Sequence, residues 1–516
     1  MTPIVEGPEP GSLAVRAIRC GWMPPGRGQA RLRSLSGLVC VLAGAVLFAV
    51  GVPTVAGEGQ LPKVRVRSDG RGFVTSDGRP FVPVGVNYFR PGTGWAPQVW
   101  KQFDEEATRR DFARLRALGA NCVRVFLTYG SFHVEPGRLS EEGLARFDRF
   151  LALAEEAGLY VHPTGPDHWE GLPPWARVDR IADEQVLTAL ERWWRQWAAR
   201  YRGRSVIFAY DLLNEPEVGW DTRAMHVRWN AWLKAKYGGA GGARGSGVTT
   251  EPLLGSGDLP VPARDAAPGR ELLDFQHCRE QVAVEWTRRQ VEAIRSADPE
   301  ALVTVGLIQW SVPVCIAGAW HYSGFRPELI APWVDFMEVH FYPLARGFYQ
   351  YRSVEEEAQN LAYLDLVVGE VSRPGKPVVL AEFGWYGGGQ PSLDGGPYAF
   401  ASEEQQARWC RQVMERTAGP VCGWLNWGLY DHPEARDVTQ LTGLLTAEGR
   451  EKAWAREFRI LAERWRVGLP AVKPARRSGP PLDWDRLITD PAAREAVYRE
   501  RIVDRASVSA GAGPDR

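Results

Sequence analysis

The alternation of apolar runs with helical patterns is the feature that most restricts how this chain can fold. Short strand-like runs occur eight times, at residues 81–88, 121–127, 159–165, 205–213, 301–309, 334–342, 377–384 and 421–428. Between them lie segments with apolar residues three and four apart, such as ATRRDFARLRALG ahead of the second run. Runs that are apolar throughout are typical of parallel strands covered on both faces by the helices that connect them.

Two α/β architectures satisfy this pattern. A doubly wound sheet usually carries a glycine-rich phosphate-binding loop after its first strand, and NYFRPGTG at residues 87–94 lacks that pattern. We therefore predict a single closed (β/α)8 barrel, a TIM barrel, over residues 64–466.

The first 57 residues do not belong to the predicted barrel. Residues 31–57 read RLRSLSGLVCVLAGAVLFAVGVPTVAG, with arginines, then an apolar run and then small residues. This order predicts a secretory signal peptide that is cleaved near Ala56. The alternative is an uncleaved membrane anchor, since an apolar run of about 18 residues would just span a bilayer. Both interpretations make the protein secreted or extracytoplasmic.

Three further segments stand apart from the strand–helix alternation. Residues 64–81 alternate around two Asp-Gly pairs and predict a small N-terminal hairpin. Residues 238–270 form an insertion rich in glycine, proline and alanine, for which we expect flexibility because it offers little apolar surface to bury. Residues 467–516 form a C-terminal tail with a helical pattern and too little length for a domain.

Charge and cysteine content exclude several classes of protein. Basic and acidic residues balance at 62 each, so no field exists to attract nucleic acid. Two of the seven cysteines lie in the N-terminal segment, and the other five show no CxxC or Cys/His ligand spacing. We therefore expect mainly buried thiols, at most one or two disulfides, no metal site and no cofactor.

Polar residues end several of the predicted strands. In a (β/α)8 barrel, the side chains that perform chemistry lie at the C-terminal ends of the strands. The fourth run leads into Asn214 and Glu215, and the seventh contains Glu382 near its end. Since these strands are three apart, the two glutamates should face each other across the barrel mouth.

Two facing carboxylates without metal ligands around them indicate cleavage of a glycosidic bond. At a separation of about 5–5.5 Å, one attacks the anomeric carbon and the other first donates and then accepts a proton. Arg124 could keep one carboxylate ionised, and Tyr342 could donate a hydrogen bond to it. These considerations do not decide which glutamate has which role. For either glutamate alone, a simple ion pair with an arginine is the competing interpretation.

Five short motifs lie at successive strand ends: CVRVF with Arg124, LLNEP with Asn214 and Glu215, VHFYP with His340 and Tyr342, LAEFGW with Glu382, and LNWG with Trp427. In this order the motifs resemble glycoside hydrolase family 5, the cellulase and mannanase family of clan A, over residues 70–465. The resemblance implies that Glu215 is the acid/base and Glu382 the nucleophile.

The resemblance also implies roles for the neighbouring residues. Asn214 would bind the sugar 2-hydroxyl, Arg124 and Tyr342 would support the nucleophile, His340 would line the cleft, and Trp427 would be the stacking floor under the cleaved sugar. The segment GPDHWEG after the third strand departs from the family pattern and leaves Asp167, His168 and Trp169 as candidates. We favour His168 and Trp169 as sugar contacts.

The expected function is hydrolysis of a β-linked hexose polysaccharide or oligosaccharide with retention, of the cellulase or endo-β-mannanase type, with β-mannan or β-glucan as substrate. One alternative is an exo-acting or glycolipid-cleaving clan A enzyme, similar to β-galactosidases or glucosylceramidases. Another alternative is an inactive carbohydrate-binding barrel, which the presence of both glutamates disfavours.

Overall fold

The computed structural model describes residues 60–94, 98–245, 258–393, 396–469 and 479–511. The predicted signal peptide or anchor at residues 1–57 lies outside the described residues, as does the middle of the insertion. Among the described residues, no helix combines the length and the hydropathy needed to cross a bilayer.

Eight parallel strands close into a barrel, as the alternation predicts. They are β4 (Val84–Asn87), β5 (Cys122–Thr128), β6 (Tyr160–Asp167), β7 (Tyr210–Asn214), β8 (Val303–Leu307), β9 (Met337–Phe341), β10 (Val378–Phe383) and β13 (Val421–Asn426). Each strand pairs with its neighbour in this order, and β13 pairs with both β10 and β4 to close the ring. Each strand falls within or overlaps one of the eight predicted runs, so the (β/α)8 fold is confirmed.

Helices connect the strands and cover the barrel. The helices up to β9 are α1 (Glu105–Ala117), α2 (Tyr129–Phe132), α3 (Glu141–Ala157), α4 (Glu184–Tyr201), α5 (Arg223–Tyr237), α6 (Ala240–Gly245), α7 (Arg270–Ala297) and α8 (Pro327–Ile330). Those that follow are α9 (Val354–Ser372), α10 (Glu403–Thr417), α11 (Ala453–Trp465), α12 (Trp484–Thr489), α13 (Pro491–Tyr498) and α14 (Asp504–Gly511). Local sequence sets their ends: the Asp104 and Ser140 side chains cap α1 and α3, and Gly158 ends α3 with φ 71°.

A small antiparallel sheet lies at the N-terminal end of the barrel strands. Its strands are β1 (Val64–Val66), β2 (Phe73–Thr75) and β3 (Pro80–Phe81). The predicted hairpin is present, with β3 as an additional strand. Phe73 packs edge-on against Phe208 and Phe336, at centroid distances of 5.0 and 5.2 Å. The sheet thus closes the end of the barrel opposite to the strand ends where chemistry is expected.

The insertion is more ordered at its described ends than its composition suggests. Helix α6 forms at the first end, and Leu259 is buried at the second. The indole N–H groups of Trp229 and Trp220 donate to the carbonyl oxygens of Pro260 and Pro262, at 3.1 and 2.7 Å. These contacts hold the second end against α5. A short hairpin of β11 (Ser392–Leu393) and β12 (Gly396–Pro397) follows β10.

The five cysteines in the described part of the chain are free thiols. Four of them, Cys122, Cys278, Cys410 and Cys422, are buried, and Cys315 is half-buried. Burial raises the pKa of the Cys278 thiol to about 12, so this side chain is an inert part of the core.

Candidate active site

Two glutamates meet at the C-terminal mouth of the barrel. Glu382 lies near the end of β10, and Glu215 follows β7 directly. One carboxylate oxygen of each, together with a ring nitrogen of His340, lies within 4.8 Å of the others. The facing arrangement expected from strand positions is therefore present.

Glu382 is held by two donors and is almost completely buried. The Arg124 guanidinium donates from Nη1 to Glu382 Oε1 at 2.7 Å, and the Tyr342 hydroxyl donates to Oε2 at 3.0 Å. Both oxygens of this carboxylate thus receive a hydrogen bond, which favours its ionised form. These are the two contacts that the sequence suggested for the nucleophile.

Glu215 has a different environment, which begins with its backbone. Its φ of 48° lies in the left-handed region, which costs a non-glycine residue about 1–3 kcal/mol and is most often found at functional sites. The Glu215 N–H donates to Gly306 O at 2.8 Å, which ties this turn to β8. The Glu215 side chain is 21% exposed, compared with 4% for Glu382.

His340 lies between the two carboxylates. Its Nδ1 is 3.0 Å from Glu215 Oε1 and 3.5 Å from Glu382 Oε1. Burial disfavours a charge on this ring, but Glu382, Glu215 and Glu338 together raise the pKa of His340 to about 9. The three carboxylates thus favour the protonated ring, whose positive charge would reduce the repulsion between Glu215 and Glu382.

Burial and charge act in opposite directions on Glu382. Burial raises the pKa of Glu382 to about 7, and the nearby Glu215 adds to the rise, whereas His340 and Arg124 lower the pKa. The protonation of Glu382 is therefore sensitive to the charges of the groups that surround it, as is typical of carboxyl groups at catalytic sites.

Arg124 is fully buried and is the centre of a polar network inside the barrel. Besides Glu382, it donates to Asn87 Oδ1 at 2.8 Å, to Asp211 Oδ2 at 2.7 Å and to Asn214 Oδ1 at 2.9 Å. This places Asn214, the predicted ligand of the sugar 2-hydroxyl, beside the two glutamates. The network fixes the positions of side chains from β4, β5, β7 and β10.

Trp427 follows β13 and is more deeply buried than expected for a side chain that only lines an open cleft. Only 5% of this residue is exposed, and its ring lies 5.2 Å from Phe89 and 5.9 Å from Phe126. The Arg124 guanidinium lies 4.9 Å from the centre of the Phe126 ring. Trp427 thus packs against the wall of the site, and its role as the stacking floor stays a prediction.

His168 and Trp169 lie just beyond the end of β6, on the same face of the barrel. Their rings stack at a centroid distance of 4.7 Å, and the His168 side chain is 43% exposed. Asp167, the third candidate in this segment, is buried, and the His168 ring and backbone contact its carboxylate. Asp167 thus positions His168, and sugar contact by His168 and Trp169 stays a prediction.

Four residues of the network were not singled out by the sequence analysis: Asn87, His162, Asp211 and Glu338. Each is a polar residue within or at the end of a run that is otherwise apolar, and each is buried. A polar residue within an apolar strand was the available signal. The missing information was the side of the strand on which each residue lies.

Glu215, His340 and Glu382 also meet the geometric requirement for three metal ligands. Their electrostatic surroundings oppose a cation, because Arg124 already donates to Glu382 Oε1 and the surrounding carboxylates raise the pKa of His340, which favours a protonated ring over a metal ligand. The arrangement is better suited to moving a proton and stabilising a developing positive charge on a substrate.

The chain has the (β/α)8 barrel of the clan A glycosidases, with two glutamates that face each other at the C-terminal ends of β7 and β10. The chain belongs to glycoside hydrolase family 5: the cellulase family, glycosyl hydrolase family 5, matches residues 74–430.

Solved structures with the same fold include several glycosidases. An exo-β-1,4-mannosidase from Opitutaceae bacterium strain TAV5 superposes with a TM-score of 0.55 and 21% identity, over 78% of this chain and 63% of that one. GH5_18 from Streptomyces cattleya in complex with Manβ1-4GlcNAc superposes with a TM-score of 0.57 and 21% identity, over 83% of this chain and 93% of that one. A β-galactosidase from Marinomonas ef1 superposes with a TM-score of 0.54 and 16% identity, over 74% of this chain and 59% of that one.

Curated relatives match over shorter stretches. A β-xylosidase from Phanerodontia chrysosporium is 27% identical over 139 residues, 25% of this chain and 28% of that protein. A β-galactosidase from Bos taurus is 28% identical over 132 residues, 23% of this chain and 18% of that protein. The chain therefore spans less than a third of the length of these two relatives.

Proposed function

We propose that the protein hydrolyses β-glycosidic bonds with retention of configuration, with Glu382 as nucleophile and Glu215 as acid/base. The observation that carries this proposal is the approach of the two carboxylates to within 4.8 Å. Retaining enzymes hold the pair about 5–5.5 Å apart, whereas inverting enzymes need about 6.5–9.5 Å to admit a water molecule.

The contacts of each glutamate support this division of roles. Glu215 protonates the departing oxygen while the Glu382 carboxylate attacks the anomeric carbon and forms a glycosyl ester. Glu215 then removes a proton from water, which attacks the same carbon and releases Glu382. Arg124 and Tyr342 hold the Glu382 anion in line for attack, and Asn214 is close enough to Arg124 to be fixed for contact with the sugar 2-hydroxyl.

The proposed substrate is an oligosaccharide with a terminal β-linked mannose, cleaved from its non-reducing end. The support is that the structural relatives include an exo-β-1,4-mannosidase and an enzyme bound to Manβ1-4GlcNAc. Endo cleavage of β-mannan or β-glucan, which the sequence analysis favoured, is the competing proposal. A β-galactosidase among the relatives makes a terminal β-galactoside the next candidate.

The test is hydrolysis of 4-nitrophenyl β-mannoside, β-glucoside and β-galactoside, with the first-formed anomer identified by proton NMR. We expect the β-mannoside to be hydrolysed fastest and to release β-mannose first. Release of the α-anomer would overturn the double displacement. Lack of hydrolysis of all three, and of soluble mannan and glucan, would favour the inactive carbohydrate-binding barrel.

A second assay separates exo from endo action. With β-1,4-mannopentaose, an exo enzyme releases mannose and mannotetraose first, whereas an endo enzyme releases mannobiose and mannotriose. Early mannobiose from the pentaose, with a rapid fall in the viscosity of mannan, would return the assignment to the endo type.

We also propose that the protein acts outside the cytoplasm. The support is the order of arginines, apolar run and small residues in the first 57 positions. N-terminal sequencing of the protein expressed in its full length should find cleavage near Ala56. An intact N-terminus in the membrane fraction would indicate an anchor, and an intact N-terminus in the cytosol would contradict export.

A further inference from the structure

A second buried carboxylate lies beneath the two glutamates. Glu338 on β9 is two residues before His340 and is completely inaccessible to solvent. Its Oε2 is 2.8 Å from His162 Nε2, and its Oε1 is 3.3 Å from Arg124 Nε and 3.6 Å from His340 Nε2. A buried glutamate is costly unless positive groups or hydrogen-bond partners surround it, and the side chains of Arg124, His162 and His340 lie around this one.

Three buried polar atoms without hydrogen bonds converge at this point: Arg124 Nε, Glu338 Oε1 and His340 Nε2. Buried polar groups are nearly always paired, and here Arg124 Nε forms an ion pair with Glu338 Oε1 while His340 Nε2 lies 3.6 Å from the same oxygen. A movement of several tenths of an ångström would bring His340 Nε2 within hydrogen-bond distance of Glu338 Oε1. These two side chains are therefore close enough to form a hydrogen bond when His340 is protonated.

His340 consequently has carboxylates on both sides of its ring. Nδ1 faces Glu215 and Glu382, and Nε2 faces Glu338. A neutral imidazole carries one N–H, whereas the protonated ring carries two and can donate toward both sides. The surroundings thus favour the doubly protonated ring.

We propose that Glu338 is a positioning residue that, by keeping His340 protonated, sets the protonation of the Glu215–Glu382 pair. This inference rests on the proposed function, in which that pair performs the chemistry. Glu338 itself does not touch the substrate, because His340 lies between it and the mouth of the site.

Charged and titratable groups from the packed strands surround the His340–Glu338 pair. They are Arg124 on β5, His162 on β6, Asp211 on β7, Glu215 after β7, Tyr342 after β9 and Glu382 on β10. On β8, Gly306 leaves the space open: a Cβ there would lie 3.2 Å from His340 Nε2. Although burial opposes ionisation, His162, His340 and Arg124 hold the pKa of Glu338 below its usual range. Glu338 is thus a permanent negative charge behind His340.

The first test is Glu338→Gln, which keeps the shape of the side chain and removes the charge. His340 should then lose its proton at lower pH, so the alkaline limb of kcat/KM should move down by about one pH unit. The matched control is Glu370→Gln. Glu370 on α9 is equally buried, but it pairs with Arg373, which follows that helix. The control should keep the alkaline limb of the unmodified enzyme. Identical pH profiles for Glu338→Gln and the unmodified enzyme would overturn the inference.

A second pair of measurements remains available if Glu338→Gln does not fold. Glu338→Asp keeps the charge and should retain the alkaline limb while kcat falls, whereas a downward shift of this limb would count against the role of charge. In the unmodified protein labelled with 15N-histidine, His340 should be protonated at pH 7, with its resonance assigned from a His340→Asn variant. A neutral His340 at pH 7 would overturn the inference even if no glycosidase substrate were found. Absence of hydrolysis with a protonated His340 would contradict the proposed function instead.

Discussion

At the scale of single residues, Glu382 and Glu215 differ in the way that their two roles require. Glu382 is buried, with hydrogen bonds from Arg124 and Tyr342 to its two oxygens. Glu215 is partly exposed, and His340 is the side chain that contacts it. A nucleophile needs a fixed, charge-stabilised carboxylate, whereas an acid/base needs access to the leaving group and to water.

The first prediction compares removal of each carboxylate. Glu382→Ala should abolish turnover of every substrate by about 10⁴-fold or more, because no glycosyl ester forms. Glu215→Ala should still be glycosylated by an activated aryl glycoside and then stall, since water has lost its base. Added azide should restore its turnover and give the β-glycosyl azide, whereas in Glu382→Ala azide should give the α-product. NMR of the azide products measures this difference.

The matched control for this experiment is Glu217→Ala. Glu217 lies two residues beyond Glu215, is exposed, and receives a hydrogen bond from the Trp310 indole rather than a contact with His340. Its removal should leave turnover insensitive to azide. If the two azide anomers were exchanged between the glutamate variants, the roles of Glu215 and Glu382 would have to be exchanged as well.

The second prediction concerns the acid limb of the pH profile. Burial raises the pKa of Glu382 to about 7, and Glu215 contributes to the rise. Because Glu382 attacks as an anion, kcat/KM should fall as the pH decreases through about 7. Glu215→Gln removes a like charge, so the acid limb for an activated aryl glycoside should move down by about 0.5–1 pH units. An upward shift of this limb, or none, would contradict the coupling.

Sequence reasoning located the two glutamates but not the residues beneath them. Glu215 and Glu382 could be placed because a strand end is recognisable from an apolar run that stops. Asp211 and Glu338 lie inside their runs, and their letters do not show whether the side chain points into the barrel or toward the helices. That direction depends on strand tilt and register, which are set by pairing with neighbouring strands.

At the scale of secondary-structure elements, β8 contributes to the site through a glycine, Gly306, whose missing side chain leaves room for its neighbours. Gly306 lies beside the network, and a Cβ there would be 2.9 Å from Asp211 Oδ2 and 3.1 Å from Arg124 Nη2. Its N–H donates to Asp211 Oδ1 at 2.7 Å, and its carbonyl accepts from Glu215 N. The backbone of β8 thus contacts both Asp211 and Glu215, the proposed acid/base, at the end of β7.

The third prediction is that Gly306→Ala is destabilising and lowers activity. The added methyl group must displace Asp211 or Arg124, and overpacking of this kind costs about 1–3 kcal/mol. Urea unfolding measures the loss of stability, and kcat/KM should fall because Arg124 also holds Glu382. Gly241→Ala is the control, since an added Cβ at this exposed helical position meets nothing within 4 Å. Unchanged stability of Gly306→Ala would show that the network yields more readily than its burial implies.

At this scale the sequence was most informative. The eight apolar runs correspond to the eight barrel strands because parallel strands that are covered on both faces are mostly apolar, with few polar residues among them. The third strand of the N-terminal sheet was missed, since β3 consists of two residues, Pro80 and Phe81. A strand of that length has no periodicity of its own and exists because Phe81 packs against Tyr160 and Phe208.

At the scale of the whole molecule, residues 479–511 of the C-terminal tail are packed along the outside of the barrel. Trp484 on α12 lies under the Arg326 guanidinium, 5.1 Å from it, and α14 packs on α9. The Arg346 guanidinium lies 3.7 Å above the ring of Tyr498. Arg346 belongs to the loop that follows Tyr342. The tail therefore also contacts the segment next to Tyr342, whose hydroxyl donates a hydrogen bond to Glu382. Sequence alone could not show this, because short helices carry no information about their distant partners.

The last prediction tests whether the tail is an integral part of the fold. Ile502 lies in the segment between α13 and α14, which packs on α9, and it is completely buried; truncation of such a side chain costs about 2–5 kcal/mol. Ile502→Ala should therefore lower the Tm by several degrees, as measured by differential scanning calorimetry. Ser507→Ala is the control on the neighbouring helix, because Ser507 is exposed and its loss should change stability by less than about 0.5 kcal/mol. If Ile502→Ala has the same Tm and the same kcat as the unmodified protein, the tail does not stabilise the barrel. A lower Tm together with a lower kcat at 25 °C would show that the tail both stabilises the barrel and positions the loop after Tyr342.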